Sequence, residues 1–175
     1  MKIRYLEEGE EIPNLKDDMG AILFPDIQTY SWVDEIKVVL DEGAIMPTRG
    51  HSDDAGIDLY APKNMVTKYL WKGDSVIINS GVHIAIPRGY VGMLKSRSGL
   101  NVKHSIIGEG VIDSGYTGAI CIKLYNLGTE RLKIEPGDKI IQLVILPIIT
   151  PKLVVVDSLP KTERNDRGFG STGRK

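Results

Sequence analysis

Gly110-Val-Ile-Asp113-Ser-Gly-Tyr116-Thr-Gly118 sets one acid after two β-branched residues, between glycines. That pattern predicts a carboxylate held at a strand end in a tight hairpin, where it can orient and deprotonate a water. Tyr116, three residues on, can lay its ring against a sugar. The alternative is a turn aspartate that caps a hairpin. Lys95-Ser-Arg97-Ser98-Gly99-Leu brings two hydroxyls and an arginine to a predicted helix start. Free N–H groups and a guanidinium fork would attract phosphate there, or Ser98 is only an N-cap beside an exposed arginine. Asp58, inside Ala55-Gly-Ile-Asp58-Leu-Tyr-Ala61, either meets Mg2+ through water or faces solvent on an edge strand. Gln142, inside an apolar run, either satisfies core backbone or reaches a ligand.

The last stretch with chemical content is Arg167-Gly-Phe169-Gly170-Ser171-Thr172-Gly-Arg-Lys175. Three glycines make it costly to order. Phe169 offers a ring for a base, while Ser171, Thr172, the backbone amides and Arg167 offer donors for phosphate. A lid that orders on ligand binding fits this composition, as does a frayed terminus.

These residues need a scaffold, and the sequence predicts an all-β one. Short apolar runs recur at 36–40, 75–79, 82–86, 90–94, 119–125, 139–146 and 153–156, most of them bounded by Gly, Pro, Asn or Asp. Val82, Ile84 and Ile86 alternate with other residues, as do Ile120, Ile122 and Leu124; each set predicts one buried face. Regular short strands without a long helical period favour a sandwich, jelly roll or barrel. One short helix is expected through Gly99–His104. Residues 1–34, with acidic clusters, Pro13, Pro25, Phe24 and Trp32, are read as an arm of unknown role. Residues 35–159 form the β domain and 160–175 a flexible tail.

Bulk properties narrow the function classes. A net charge of −1 supplies no basic footprint for duplex nucleic acid. The greasiest segment, 140–156, is interrupted by Gln142, Pro147, Pro151 and Lys152, so no membrane span is expected. A lone Cys121, placed in the core by its apolar neighbours, and a charged N-terminus without a signal sequence point to the cytoplasm. His51, His83 and His104 lack metal-ligand spacing, and Gly108-Glu-Gly110 lacks the third glycine of a dinucleotide fingerprint.

Taken in order, the segments 55–61, 96–100, 110–118, 137–144 and 167–173 resemble the five motifs of the trimeric dUTPase family, over roughly Ile36 to Gly173. The resemblance implies a jelly-roll-like β fold (a β-clip) and a homotrimer whose three sites lie at subunit interfaces. Each site would take its first, second and fourth motifs from one chain, its third from another and its tail from the last. The implied reaction is Mg2+-dependent hydrolysis of dUTP to dUMP and pyrophosphate, which keeps uracil out of DNA and supplies dUMP for dTMP synthesis. Asp113 would activate water, Tyr116 pack on deoxyribose, and the backbone from Gly110 to Ile112 read uracil. Arg97, Ser98, Gly99 and Gln142 would contact phosphates, and Asp58 would reach Mg2+ through water. Phe169 and Gly170 would cover the base, with Arg167, Ser171 and Thr172 on the γ-phosphate.

Three departures stand out. Ser96 replaces a frequent proline, which is expected to soften its loop, and Gly115 and Thr117 replace an acidic or polar residue and an arginine. A dCTP deaminase is the nearest rival, but Lys123 stands where that chemistry needs a glutamate. A second rival is a regulator that docks onto a repressor through residues 1–34.

Overall fold

The computed structural model describes residues 35–167. Eleven strands and one helix follow one another among these residues: β1 (Val38–Leu40), β2 (Gly56–Tyr60), β3 (Lys68–Leu70), β4 (Ser75–Asn79), β5 (Val82–Ile84), β6 (Tyr90–Lys95), α1 (Ser98–His104), β7 (Ile106–Ile107), β8 (Glu109–Asp113), β9 (Cys121–Asn126), β10 (Leu132–Ile134) and β11 (Lys139–Pro147). The main sheet has the order β2-β11-β6-β8, the second β4-β9-β7, and two ribbons pair β1 with β5 and β3 with β10. Every pairing is antiparallel. This is the expected all-β, jelly-roll-like architecture with one short helix.

The core forms where the inward faces of these sheets meet. Leu59, Leu94, Ile112, Ile122, Leu124, Ile141 and Leu143 pack together there, each at least nine-tenths buried. A fully buried Leu or Ile contributes about 1.5–3 kcal/mol over its exposed state. Two buried polar residues are fully bonded. Asn126 donates to the carbonyls of Leu70 and Glu130 and accepts from the Gly128 amide; Ser80 donates to the Ile120 carbonyl.

Four expectations change. Cys121 is exposed, not in the core. Along β9 burial alternates strictly, with Ile122, Leu124 and Asn126 inward, so Cys121, Lys123 and Tyr125 must face out. The run 153–156 forms no strand: Leu153, Val154, Val155 and Val156 lie outside regular secondary structure with 57–100% of their surface exposed. Residues 110–118 do not make a hairpin, because β8 pairs with β6 whereas β9 pairs with β4 and β7. The Ser114–Ile120 segment instead crosses from one sheet to the other. Finally, Ser96 does not soften its loop. Its hydroxyl donates to the Gly108 carbonyl (3.1 Å) and accepts from the Gly108 amide (2.9 Å), so both directions of one backbone unit are clamped.

Candidate active site

Asp58 sits in β2 with its side chain only 13% exposed, and both of its oxygens are engaged. Oδ1 accepts from Arg97 Nε at 2.9 Å and Oδ2 from Lys139 Nζ at 2.9 Å. Arg97 caps α1 with an extended backbone and also donates through Nη1 to the Lys139 carbonyl at 3.1 Å. Asp58 holds the Lys139 ammonium above its ordinary pKa, chiefly through that hydrogen bond and then through its charge, against some desolvation. Lys139 also lies 5.7 Å from the Tyr60 ring centroid. An arginine carries five N–H donors and a lysine three, so pairing with one carboxylate does not exhaust either group.

Gln142 faces Asp58 across the β2–β11 pair. Its Nε2 donates to the Ser96 carbonyl at 3.1 Å, and its amide oxygen lies directly over Gly56, where any Cβ would collide with it. Ser98 and Gly99 begin α1, and no atom stands within 4 Å of where a Gly99 side chain would start. Asp58, Arg97, Ser98, Gly99 and Gln142, expected from the sequence, thus line one cleft of ≈ 440 Å³ together with Lys139. The rim is self-tied: Arg49 Nη1 donates to the Asp54 and Ala55 carbonyls, and the His51 amide donates to Asp54 Oδ2 at 2.8 Å.

Lys139 was missed by sequence reasoning. Strict alternation would place it opposite Gln142, three residues on. The β2–β11 register slips between Lys139 and Ile141, and Ile140 and Ile141 are both buried. That bulge resets the phase and brings Lys139 and Gln142 to the same side. The signal was present as two consecutive apolar residues between two polar ones.

Asp113 ends β8, exposed, opposite Val91 of β6. Asp58, Gln142, Lys95 and Glu109 form one rung across the main sheet, and Asp113 stands four residues beyond that rung on the same outward face. The offset amounts to roughly 13 Å along the strands and roughly 14 Å across three strand spacings. Neither Asp113 nor Tyr116 lines this cleft, nor the neighbouring one of ≈ 410 Å³ beside Leu124 and Leu132. The Tyr116 amide closes a turn on the Asp113 carbonyl at 3.2 Å, through Gly115 at φ +88°. Glycine suits that left-handed position because side-chain-bearing residues rarely adopt it, although the space around a Cβ there is open. The Tyr116 hydroxyl donates to the Ala119 carbonyl at 3.1 Å, leaving the ring 46% exposed.

Gly110 packs on Leu94 and Ile112 points into the core, so only their backbone is available to a ligand. Arg167 is exposed and donates to the carbonyls of Glu163 and Arg164 in its own turn; it lines neither cleft. Phe169, Gly170, Ser171 and Thr172 lie outside the described residues, as does the arm 1–34. Among the described residues no group of three His, Cys, Asp or Glu gathers as a metal cage, and no helix is long and apolar enough to cross a membrane.

Comparison with known proteins fits this geometry. A family model for dUTPase matches residues 42–173. The deoxyuridine 5'-triphosphate nucleotidohydrolase of Rattus norvegicus is 41% identical over 138 residues, covering 78% of this chain and 66% of that protein. That of Clostridium novyi is 41% identical over 136 residues, covering 76% of this chain and 94% of the relative. Among solved structures, Staphylococcus bacteriophage 80alpha dUTPase with dUPNHPP superposes with a TM-score of 0.73 at 33% identity, over 80% of this chain and 99% of the other. These matches define the class as a nucleotide hydrolase on a jelly-roll-like β fold. The chain belongs to the dUTPase family.

Proposed function

We propose that this protein hydrolyses dUTP to dUMP and pyrophosphate as a homotrimer in the cytoplasm, keeping uracil out of DNA and supplying dUMP for dTMP synthesis. The observation that carries the reading is the convergence of three distant segments on one cleft: Asp58, Arg97–Gly99 and Gln142 meet with Lys139. Two cations, two helix-start residues and an amide are groups that grip a polyphosphate. Asp113, too far away to serve this cleft within its own chain, would take a proton from a water attacking the α-phosphorus in a site completed by a neighbouring copy. The exposed apolar residues Ile149, Leu153, Val154, Val155, Val156 and Leu159 supply surface for such an assembly to bury.

Tyr116 then packs on deoxyribose, and the Gly110–Ile112 backbone meets the uracil edge. Phe169 and Gly170 cover the base while Arg167, Ser171 and Thr172 meet the γ-phosphate and exclude bulk water. The donor set fits Mg2+ only in one way. With both Asp58 oxygens held by cations and no cage among the described residues, the ion would rest mainly on substrate phosphates and reach Asp58 through water. When bound, the ion would supply charge neutralisation for the leaving pyrophosphate, alongside Arg97 and Lys139. A dUTPase of phage phi11 of S. aureus, 32% identical with a TM-score of 0.65 over 73% of this chain and 99% of the other, is described for the coordination of a structural Mg(II) ion.

The test is direct. Incubation with Mg2+ and dUTP, dCTP, dTTP or UTP in turn should release pyrophosphate from dUTP alone. Ammonia from dCTP would overturn the reading in favour of deamination, although Lys123 faces outward over the Tyr125 ring at 4.9 Å and offers no carboxylate. Light scattering should give a trimer; a stable, active monomer would remove the shared site. The family match begins at residue 42 and lends no support to a regulatory partner on residues 1–34.

A further inference from the structure

His83, on β5, belongs to none of the groups placed around the substrate. Its Nδ1 lies 2.7 Å from the Thr117 carbonyl oxygen, and its Nε2 lies 3.2 Å from Asp41 Oδ1. A carbonyl and a carboxylate only accept hydrogen bonds, and a neutral imidazole has a single N–H to give. Both bonds form together only when the ring carries both protons. Thr117 follows Tyr116 directly and lies four residues past Asp113, within the segment that crosses between the sheets. The turn that carries both residues is therefore tied to the β1–β5 ribbon through one ring.

We propose that His83 is a positioning residue for the Asp113–Gly118 turn: as imidazolium it pins the Thr117 backbone to Asp41 and so sets the aim of Asp113 and Tyr116. This rests on the dUTP-hydrolysis reading. The neighbouring charges favour the charged ring. His83 pairs with Val39 of β1, so Lys37 and Asp41, two residues to either side, flank it from that strand. Lys37 opposes protonation, and Asp41 favours it from within hydrogen-bond reach. The crossing segment presents the Thr117 carbonyl, with Asp113 and Tyr116 as its own titratable groups. The His83 pKa is raised above its ordinary value, first by the Thr117 carbonyl and then by the Asp41 hydrogen bond, against desolvation. A raised folded-state pKa means the tie is complete below about pH 6.5 and is lost as pH rises through the raised value.

The chain has three histidines, so side-chain NMR of the intact protein can follow each of them. His83 should be protonated at both nitrogens at pH 6 and titrate above the ordinary histidine value, with amide exchange at Thr117 and Gly118 accelerating in step. Turnover of dUTP should fall on the alkaline side with the same midpoint. His83→Leu should lower kcat/KM about two- to tenfold, the range one hydrogen bond supports, and abolish that alkaline limb. Asp41→Asn, which spares the Thr117 bond, should move the limb to lower pH. An alkaline limb unmoved in His83→Leu, or a neutral single-tautomer His83 at pH 6, overturns the proposal. Should no form hydrolyse dUTP, the functional reading fails, while titration and amide exchange still decide whether His83 holds the turn.

Discussion

Asp58 and Asp113 are both acids on the outward face of one sheet, yet their surroundings differ in kind. Asp58 is 13% exposed and held by two cations, each with further ties to the same cleft. Asp113 is exposed at a strand end, and the turn beyond it is fixed by backbone bonds and one histidine. The first acid is fixed before any ligand arrives, because moving it strands two positive charges. The second retains freedom, and on the proposed reading its environment is completed by a neighbouring copy. The cleft groups are preorganised within one chain, and the acid proposed as proton acceptor is presented outward.

That contrast predicts unequal losses. Asp113→Asn removes the proposed proton acceptor while keeping its shape, so turnover of dUTP should fall about 100- to 10,000-fold. Nucleotide binding, followed by calorimetry, should persist because the cleft is untouched. Near-normal turnover in that variant would end the assignment of Asp113. Asp58→Asn strikes the other acid and should act on the metal more than on the chemical step. The half-saturating Mg2+ concentration should rise about 10- to 100-fold, as expected when a group orienting a metal's water shell is lost. An unchanged Mg2+ curve would leave Asp58 as no more than a clamp for Arg97 and Lys139.

The same contrast explains what was legible in the sequence. Strands with one buried face show up as alternation, as β5 and β9 did, while β4, β6 and β11 were legible as short apolar runs bounded by turn residues. β3 and β10 were not, because their three residues belong to no longer alternating run, whereas the period of β5 continues to Ile86. The cleft was legible as residue types in motif order, but not as an ion-pair network. That network depends on the β11 bulge, which shows in the sequence only as a break in alternation at Ile140 and Ile141. Cys121 was misplaced although its neighbours' phase already pointed it outward. The run 153–156 reads as a strand by composition, yet a strand needs a partner edge, and among the described residues of a single chain it pairs with none. The role of His83 could not be read at all, since Asp41, His83 and Thr117 are brought together only by tertiary structure.

The mildest perturbation probes the finest feature of the cleft. Gly56 leaves room for the Gln142 amide that lies over it; in Gly56→Ala the new Cβ would meet the amide oxygen, with the amide carbon at 3.0 Å. The obstacle is the end of a flexible side chain, so β2 can keep its register while Gln142 swings off the Ser96 carbonyl. Loss of that bond should cost stability about 1 kcal/mol or less. Its effect on function should be more selective: a several-fold rise in KM for dUTP, on the scale of one misplaced hydrogen-bond donor, with kcat little changed. Asp113 lies across the sheet and keeps its aim, so uniform binding falls while the proton transfer survives. A drop in kcat equal to the rise in KM would mean that the two regions are mechanically coupled, and that the separation between a fixed cleft and a free acid is less complete than the geometry implies.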